Sequence, residues 1–289
     1  MQVQKYILKE PECFNLKDIF TCGQCFRWKE NEEKGYTGVV GENVIKIKQD
    51  GRNYILESKG KDDLEKLAIE YFDLKRDYKE IQNTLSKIDE NMEKSIKYGQ
   101  GIRILKQNLW ETIISFIISA NNNIPRIQKI IQRLSENFGK EIIFENEKYY
   151  TFPTPEELKD VSVEKYRELG LGFRDIRLYE TTHAILDGKV DLKKLEQNPN
   201  TQEVREELLS LSGVGPKVAD CILLFSTLKR FEVFPIDVWV NRVMNELYIH
   251  GDETKVNKKQ IEKVAHEKFG DLAGLAQQYL FYWRRELQE

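Results

Sequence analysis

The sequence predicts an α+β fold, a β-rich N-terminal domain followed by a larger all-α domain, and three observations carry that reading. The first ~60 residues alternate in short strand-like runs divided by Gly, Asn and charged turns. Helical periodicity takes over at Leu64, and two later apolar helical segments flank a Gly-Val-Gly-Pro turn. Strands are expected over residues 6–8, 25–28, 36–40, 44–47 and 54–56, and an antiparallel sheet fits them best. Leu64, Leu67, Ala68 and Tyr71 recur at helical spacing, as do Tyr78, Ile81 and Leu85, so the first domain, residues 1–99, should end in helices. The second, residues 100–289, is expected to be helical from about residue 100 onward. Residues 110–120 are apolar nearly all round and read as a central buried helix; 124–138 are amphipathic; Pro153 and Pro155 punctuate before several shorter helices. A cleft is expected between helical lobes.

The turn within residues 203–226 is the most informative feature. Leu208, Leu209 and Leu211 close one helix, Gly213 and Gly215 make a tight turn, and Pro216 opens a second helix at the position that suits proline. Backbone N–H groups left bare beside a helix N-terminus make a place for a phosphate. Lys217 stands in that first turn, where positive potential normally favours acids. An ordinary lysine has a pKa near ~10.4, and helix dipole and burial lower it, so an amine placed here is a candidate nucleophile. The alternative is a lysine reaching a DNA phosphate or solvent.

Asp237 follows twenty positions later in Phe-Pro-Ile-Asp-Val. Alone it reads as the N-cap of the helix that starts at Val238. Paired with Lys217 it suits chemistry, because an amine attacking a sugar carbon needs a carboxylate nearby to stabilise cationic character and move protons.

Composition sets limits. A chain of 289 residues with 40% hydrophobic content holds two domains or one large one. No stretch reaches the ~18 apolar residues of a membrane span, and the first six residues lack the basic start and apolar core of a signal peptide, so cytoplasmic residence is expected. A net charge of −3 argues against holding nucleic acid by a bulk basic field, and predicts modest non-specific affinity with phosphates bound locally. Cys22 and Cys25 form a C-x-x-C pair, but no second ligand pair accompanies them, since His183, His250 and His266 are scattered.

Gly-Val-Gly-Pro-Lys-Val-Ala-Asp-Cys followed by Phe-Pro-Ile-Asp-Val resembles the signature of the helix-hairpin-helix DNA glycosylases. The closer resemblance is to the 8-oxoguanine branch with lyase activity, supported by Gly-Gln-Cys-Phe-Arg-Trp at 23–28, Ser-Ala-Asn-Asn-Asn-Ile-Pro-Arg at 119–126 and Leu-Gly-Leu-Gly-Phe-Arg at 169–174. These motifs, with Gln277 and Phe281, run in order over nearly the whole chain.

The resemblance implies a bifunctional glycosylase and AP lyase that excises 8-oxoguanine, preferably opposite cytosine, from double-stranded DNA, and acts as a monomer. Lys217 would attack the sugar of a flipped nucleotide and Asp237 would stabilise the developing charge. Gly23 would accept the N7 hydrogen of 8-oxoguanine, Gln277 read its pairing edge, and Cys221 and Phe281 sandwich the ring, with Phe225 and Pro235 also lining the base pocket. Asn121, Arg126 and Arg174 would meet the orphaned cytosine, and Phe173 would be the wedge. Gly213, Gly215 and Val218 would offer N–H groups to a phosphate. No cofactor is required, although the carbonyls of Leu209, Leu211 and Val214 hold a structural cation in relatives. No cysteine follows Cys221, which excludes the iron–sulfur cluster of endonuclease III and the adenine-mismatch enzymes. Three departures stand out: Trp239 replaces a phosphate-touching histidine, Phe225 a methionine and Phe173 a tyrosine. Two alternatives remain: a monofunctional alkylpurine glycosylase, which needs no lysine, and a non-catalytic helix-hairpin-helix DNA-binding protein.

Overall fold

The computed structural model describes residues 2–251 and 257–286. Five strands, β1 (Gln4–Leu8), β2 (Trp28–Glu30), β3 (Tyr36–Val40), β4 (Asn43–Asp50) and β5 (Asn53–Lys59), form an antiparallel sheet in the order β1-β5-β4-β3-β2. Its inner face carries Trp28, Tyr36, Ile45, Ile47 and Leu56, packed on Phe14, Phe20 and Phe72. Helices α1 (Leu16–Thr21) and α2 (Leu64–Tyr71) close this small core. The expected strand at 25–28 is a correction: only Trp28 enters β2. Gln24 accounts for the loop before it, because its buried amide donates to the Ile19 and Arg103 carbonyls and accepts from the Leu105 N–H.

The helical body comprises α3 (Tyr78–Ser86), α4 (Glu90–Tyr98), α5 (Leu109–Ser119), α6 (Ile124–Phe138), α7 (Val163–Glu168), α8 (Asp175–Leu186), α9 (Leu192–Gln197), α10 (Thr201–Leu209), α11 (Pro216–Phe225), α12 (Val238–Met244), α13 (Lys258–Phe269) and α14 (Ala273–Glu286). Each of α1 to α6 begins after an Asn or Asp whose side chain accepts the N–H three residues on, from Asn15, Asp63, Asp77, Asp89, Asn108 and Asn123. The central helix α5 is buried at every position but Glu111 and Ser119. Tyr78, Leu85, Met92 and Ile96 of α3 and α4 share this larger core with α5, α11 and α14.

A second correction concerns residues 141–150, expected to be helical. They form a two-stranded hairpin, β6 (Glu141–Phe144) and β7 (Glu147–Tyr150). Glu145 and Asn146 both take positive φ, 50° and 65°, the turn that suits a two-residue hairpin. Phe144 covers Val39 and Val44 on the outer face of the sheet.

Candidate active site

Leu211 to Pro216 make the hairpin as expected. Gly213 sits at φ 84°, where other residues are strained, and Gly215 is the N-cap of α11 with no side-chain cap. The Val214 N–H goes back to the Leu211 carbonyl, whereas neither the Gly213 nor the Gly215 N–H donates to another described residue. Bare amides therefore gather at the start of α11, beside the first-turn N–H of Val218. Lys217 is half-buried on that same turn, its ammonium 5.4 Å from the centre of the Phe116 ring. Phe116 in turn stacks on Phe225 at 5.6 Å, so a stacked aromatic pair underlies the amine.

Asp237 caps α12, accepting the Val240 N–H at 2.8 Å, and Pro235 is buried in the loop before it. The cap uses one carboxylate oxygen, and the residue remains half-buried. Cys221, one turn after Lys217, links the two charges. Burial pushes its thiol up to about 11; the Lys217 ammonium draws it down and the Asp237 carboxylate pushes it further up. The fold thus brings both the amine and the carboxylate within electrostatic reach of the thiol.

Gly23 approaches from the sheet side. Its φ is 90°, and a Cβ there would lie 3.5 Å from the Phe281 ring, in ordinary contact. The loop is tied to α14 just before Gly23, by Gln278 donating to the Cys22 carbonyl at 2.5 Å and Arg285 to the Thr21 carbonyl at 2.6 Å. Arg285 also lies 5.4 Å from the Phe281 ring. Gln277 is buried, and its Oε1 has no hydrogen-bond partner among the described residues. The space bounded by Phe234, Val240, Met244, Gln277 and Phe281, where a cleft between helical lobes is expected, leaves no room for a water molecule. A wider cleft of ≈600 Å³ lies elsewhere, between the outer sheet face, α6 and the β6–β7 hairpin.

The remaining candidates gather where α5 meets α6 and α7 meets α8. Asn121 is exposed at φ 52° and Arg126 is exposed, its guanidinium reaching only the Gly170 carbonyl at 3.5 Å. Phe173 is 52% exposed, a large aromatic facing solvent. Arg174 departs from the solvated helix charge that is the usual fate of an arginine: it is 2% exposed and donates to the carbonyls of Ala120, Asn121 and Leu171. Two further residues escaped the sequence reading, Arg177 and Arg285. Their signal was an arginine four residues after an aromatic, Phe173 and Phe281. Trp239 is half-buried, and its buried indole N–H has no partner among the described residues.

The C-x-x-C cysteines do not converge. Burial pushes Cys22 up to about 12 and raises Cys25, and their thiols turn to the separate carbonyls of Ile19 and Phe20. Among the described residues no cluster of His, Cys, Asp or Glu could hold a metal ion, and no helix is long and apolar enough to cross a membrane.

A hairpin of this form, ending in a lysine and followed by a capping aspartate, places the chain among helix-hairpin-helix proteins. It belongs to the HhH-GPD superfamily of base excision DNA repair proteins, whose profile matches residues 114–270, and the 8-oxoguanine DNA glycosylase N-terminal domain matches residues 6–113. It is 33% identical to the N-glycosylase/DNA lyase of Saccharomyces cerevisiae, covering 92% of this chain and 82% of that one. The probable N-glycosylase/DNA lyase of Methanothermobacter thermautotrophicus is 34% identical over 74% of this chain and 72% of its own. Among solved structures, the Clostridium acetobutylicum 8-oxoguanine glycosylase/lyase in complex with double-stranded DNA containing cytosine opposite 8-oxoG superposes with a TM-score of 0.93 at 41% identity, covering 100% of this chain and 99% of that one. The 3-methyladenine DNA glycosylase of Archaeoglobus fulgidus, at 20% identity and a TM-score of 0.77, shares the fold alone.

Proposed function

We propose that this protein is a bifunctional DNA glycosylase and AP lyase that removes 8-oxoguanine, preferably opposite cytosine, from duplex DNA. The observation that carries the reading is the half-buried Lys217 amine at the bare N-terminus of α11, one turn before a Cys221 thiol that feels both the Lys217 and the Asp237 charge. A neutral Lys217 Nζ attacks C1′ of the flipped nucleotide, and the glycosidic electron pair leaves with the base. Asp237 stabilises the positive charge that builds on the sugar. Opening of the sugar ring gives a Schiff base on Lys217, and loss of a C2′ proton then expels the 3′ phosphate.

The other roles follow by resemblance. The Gly23 carbonyl accepts the N7 hydrogen, which only the oxidised base carries, and the unpartnered Gln277 Oε1 suits a reader of the pairing edge. Cys221 and Phe281 bracket the ring, with Phe225 and Pro235 behind the pocket wall. Phe173 is the wedge, and Asn121, Arg126 and Arg174 meet the cytosine. Gly213, Gly215 and Val218 bind a phosphate, and the carbonyls of Leu209, Leu211 and Val214 hold a structural cation. The reading includes a monomer, cytoplasmic residence, and a division of the chain at 1–99 and 100–289 in which α3 and α4 join the helical core from the N-terminal side.

Incubation with a duplex carrying a single 8-oxoguanine opposite cytosine tests this. Release of the free oxidised base with a strand break at its site is expected. Release of an alkylated purine instead, or binding without base release, overturns the reading in favour of a monofunctional alkylpurine enzyme or a non-catalytic binder.

A further inference from the structure

We propose that Arg177 is a positioning residue that holds the Phe173 wedge and presents the cation for the phosphate beside it, an inference that rests on Phe173 being the wedge. Two guanidinium groups flank the exposed ring, Arg174 at 4.2 Å and Arg177 at 5.0 Å from its centre. They differ in how they are held. The Arg174 guanidinium is anchored by backbone carbonyls of three residues. Arg177, one turn further on at the start of α8, makes no hydrogen bond or ion pair with another described residue, and its guanidinium is left for a ligand.

The stem of Arg177 has a second neighbour. A Cβ placed on Gly213 would fall 2.8 Å from the Arg177 Cδ and 3.1 Å from its Cβ, so the stem lies directly on the bare hairpin backbone. One side chain therefore touches both the wedge and the phosphate-binding turn. In a chain of net charge −3, Arg126, Arg174 and Arg177 gather closely: burial lowers the Arg174 pKa, and the other two guanidinium groups lower it further. A phosphate anion relieves that repulsion. The wedge and the hairpin are thereby set at one spacing, and docking of the backbone on the hairpin brings Phe173 to the base stack in the same step.

The test uses the full chain and an 8-oxoguanine:cytosine duplex with 2-aminopurine beside the lesion. Dissociation constants across salt, the rise in 2-aminopurine fluorescence on binding, and single-turnover excision are compared for the parent, Arg177→Ala and Arg177→Lys. Arg177→Ala should lower the slope of log affinity against log salt by about 1, one phosphate contact, and cut the fluorescence rise and the excision rate several-fold. Arg177→Lys should restore the salt slope but not the fluorescence rise, because an ammonium lacks the flat face that lies on the ring. A parental slope in Arg177→Ala overturns the phosphate contact, and a parental fluorescence rise in either variant overturns wedge positioning. Repeating the binding arm on a duplex with a stable abasic analogue keeps this separate from the proposed activity. A parent that excises nothing but shows the Arg177 effects there sinks the activity and leaves the inference standing.

Discussion

The lysine side and the wedge side of the site are prepared in opposite ways. On the lysine side, Gln277 Oε1 is buried with no partner among the described residues, and no water fits in the space between Phe234, Val240, Met244, Gln277 and Phe281. Around Phe173 the surface is already open, with the ring exposed and Arg174 locked to backbone carbonyls beneath it. On the proposed roles, the difference teaches that duplex binding can begin on the open Phe173 surface, whereas a base entering beside Gln277 must make room for itself. Phe281, partly buried at the edge of that space, packs against the helical core and lies 5.4 Å from the Arg285 guanidinium.

The strongest way to break the comparison is on the lysine side. Asp237→Asn keeps an oxygen for the Val240 N–H and removes the charge, so α12 should stay capped while base excision falls by about 10² to 10³-fold with duplex affinity nearly unchanged. Near-parental excision would reduce Asp237 to a helix cap.

On the wedge side the expected effect is smaller and shared between strands. Arg126→Ala with Arg174→Ala should shrink the preference for cytosine over adenine opposite the lesion, since each unpaired group facing adenine costs about 1 to 3 kcal/mol in the parent. The two changes should separate by stability. Arg174→Ala strips the donors from the Ala120, Asn121 and Leu171 carbonyls and should lower the melting temperature, whereas the exposed Arg126 should not. Equal excision opposite all four bases in the parent contradicts the cytosine reading.

Gly23→Ala sharpens the account of the shut pocket. The added methyl has room, 3.5 Å from Phe281, so steric exclusion from the closed state is not the issue. Strain is, because φ 90° disfavours any side chain by roughly 1 to 3 kcal/mol. Single-turnover excision of 8-oxoguanine should fall about tenfold through displacement of the loop carbonyl. Parental excision means Gly23 is not the damage reader.

How much of this was legible in the sequence follows the range of the forces involved. The hairpin turn and the cap at Asp237 were readable, because Gly, Pro and Asx residues act on backbone within three or four positions. The β6–β7 hairpin was missed, since four-residue strands carry little periodicity and Glu145 does not advertise a left-handed turn. The failed strand at 25–27 was decided by Gln24 bonding to Arg103 and Leu105, some eighty positions away. The depth of Arg174 and the closure around Gln277 likewise depend on helices brought together by the fold.

A weaker effect comes from titratable groups buried in both cores. Unfolded thiols titrate near 9, whereas burial moves Cys221 to about 11 and Cys22 to about 12. Between those values the unfolded state binds fewer protons, so stability falls as pH rises. Lys229, lowered by burial to about 8 from 10.5, opposes this in part, and the raised Cys25 and Tyr71 add to the fall. Melting temperatures should therefore decline between pH 9 and pH 11, and a flat or rising profile contradicts the buried thiols.

The central claim is that the Lys217 amine is the nucleophile. Borohydride added during reaction with an 8-oxoguanine:cytosine duplex should reduce the Schiff base to a stable amine, and peptide mapping should place the DNA adduct on Lys217. Lys217→Gln should abolish the adduct while still binding the duplex. An adduct that persists in that variant, or maps to another residue, contradicts the account.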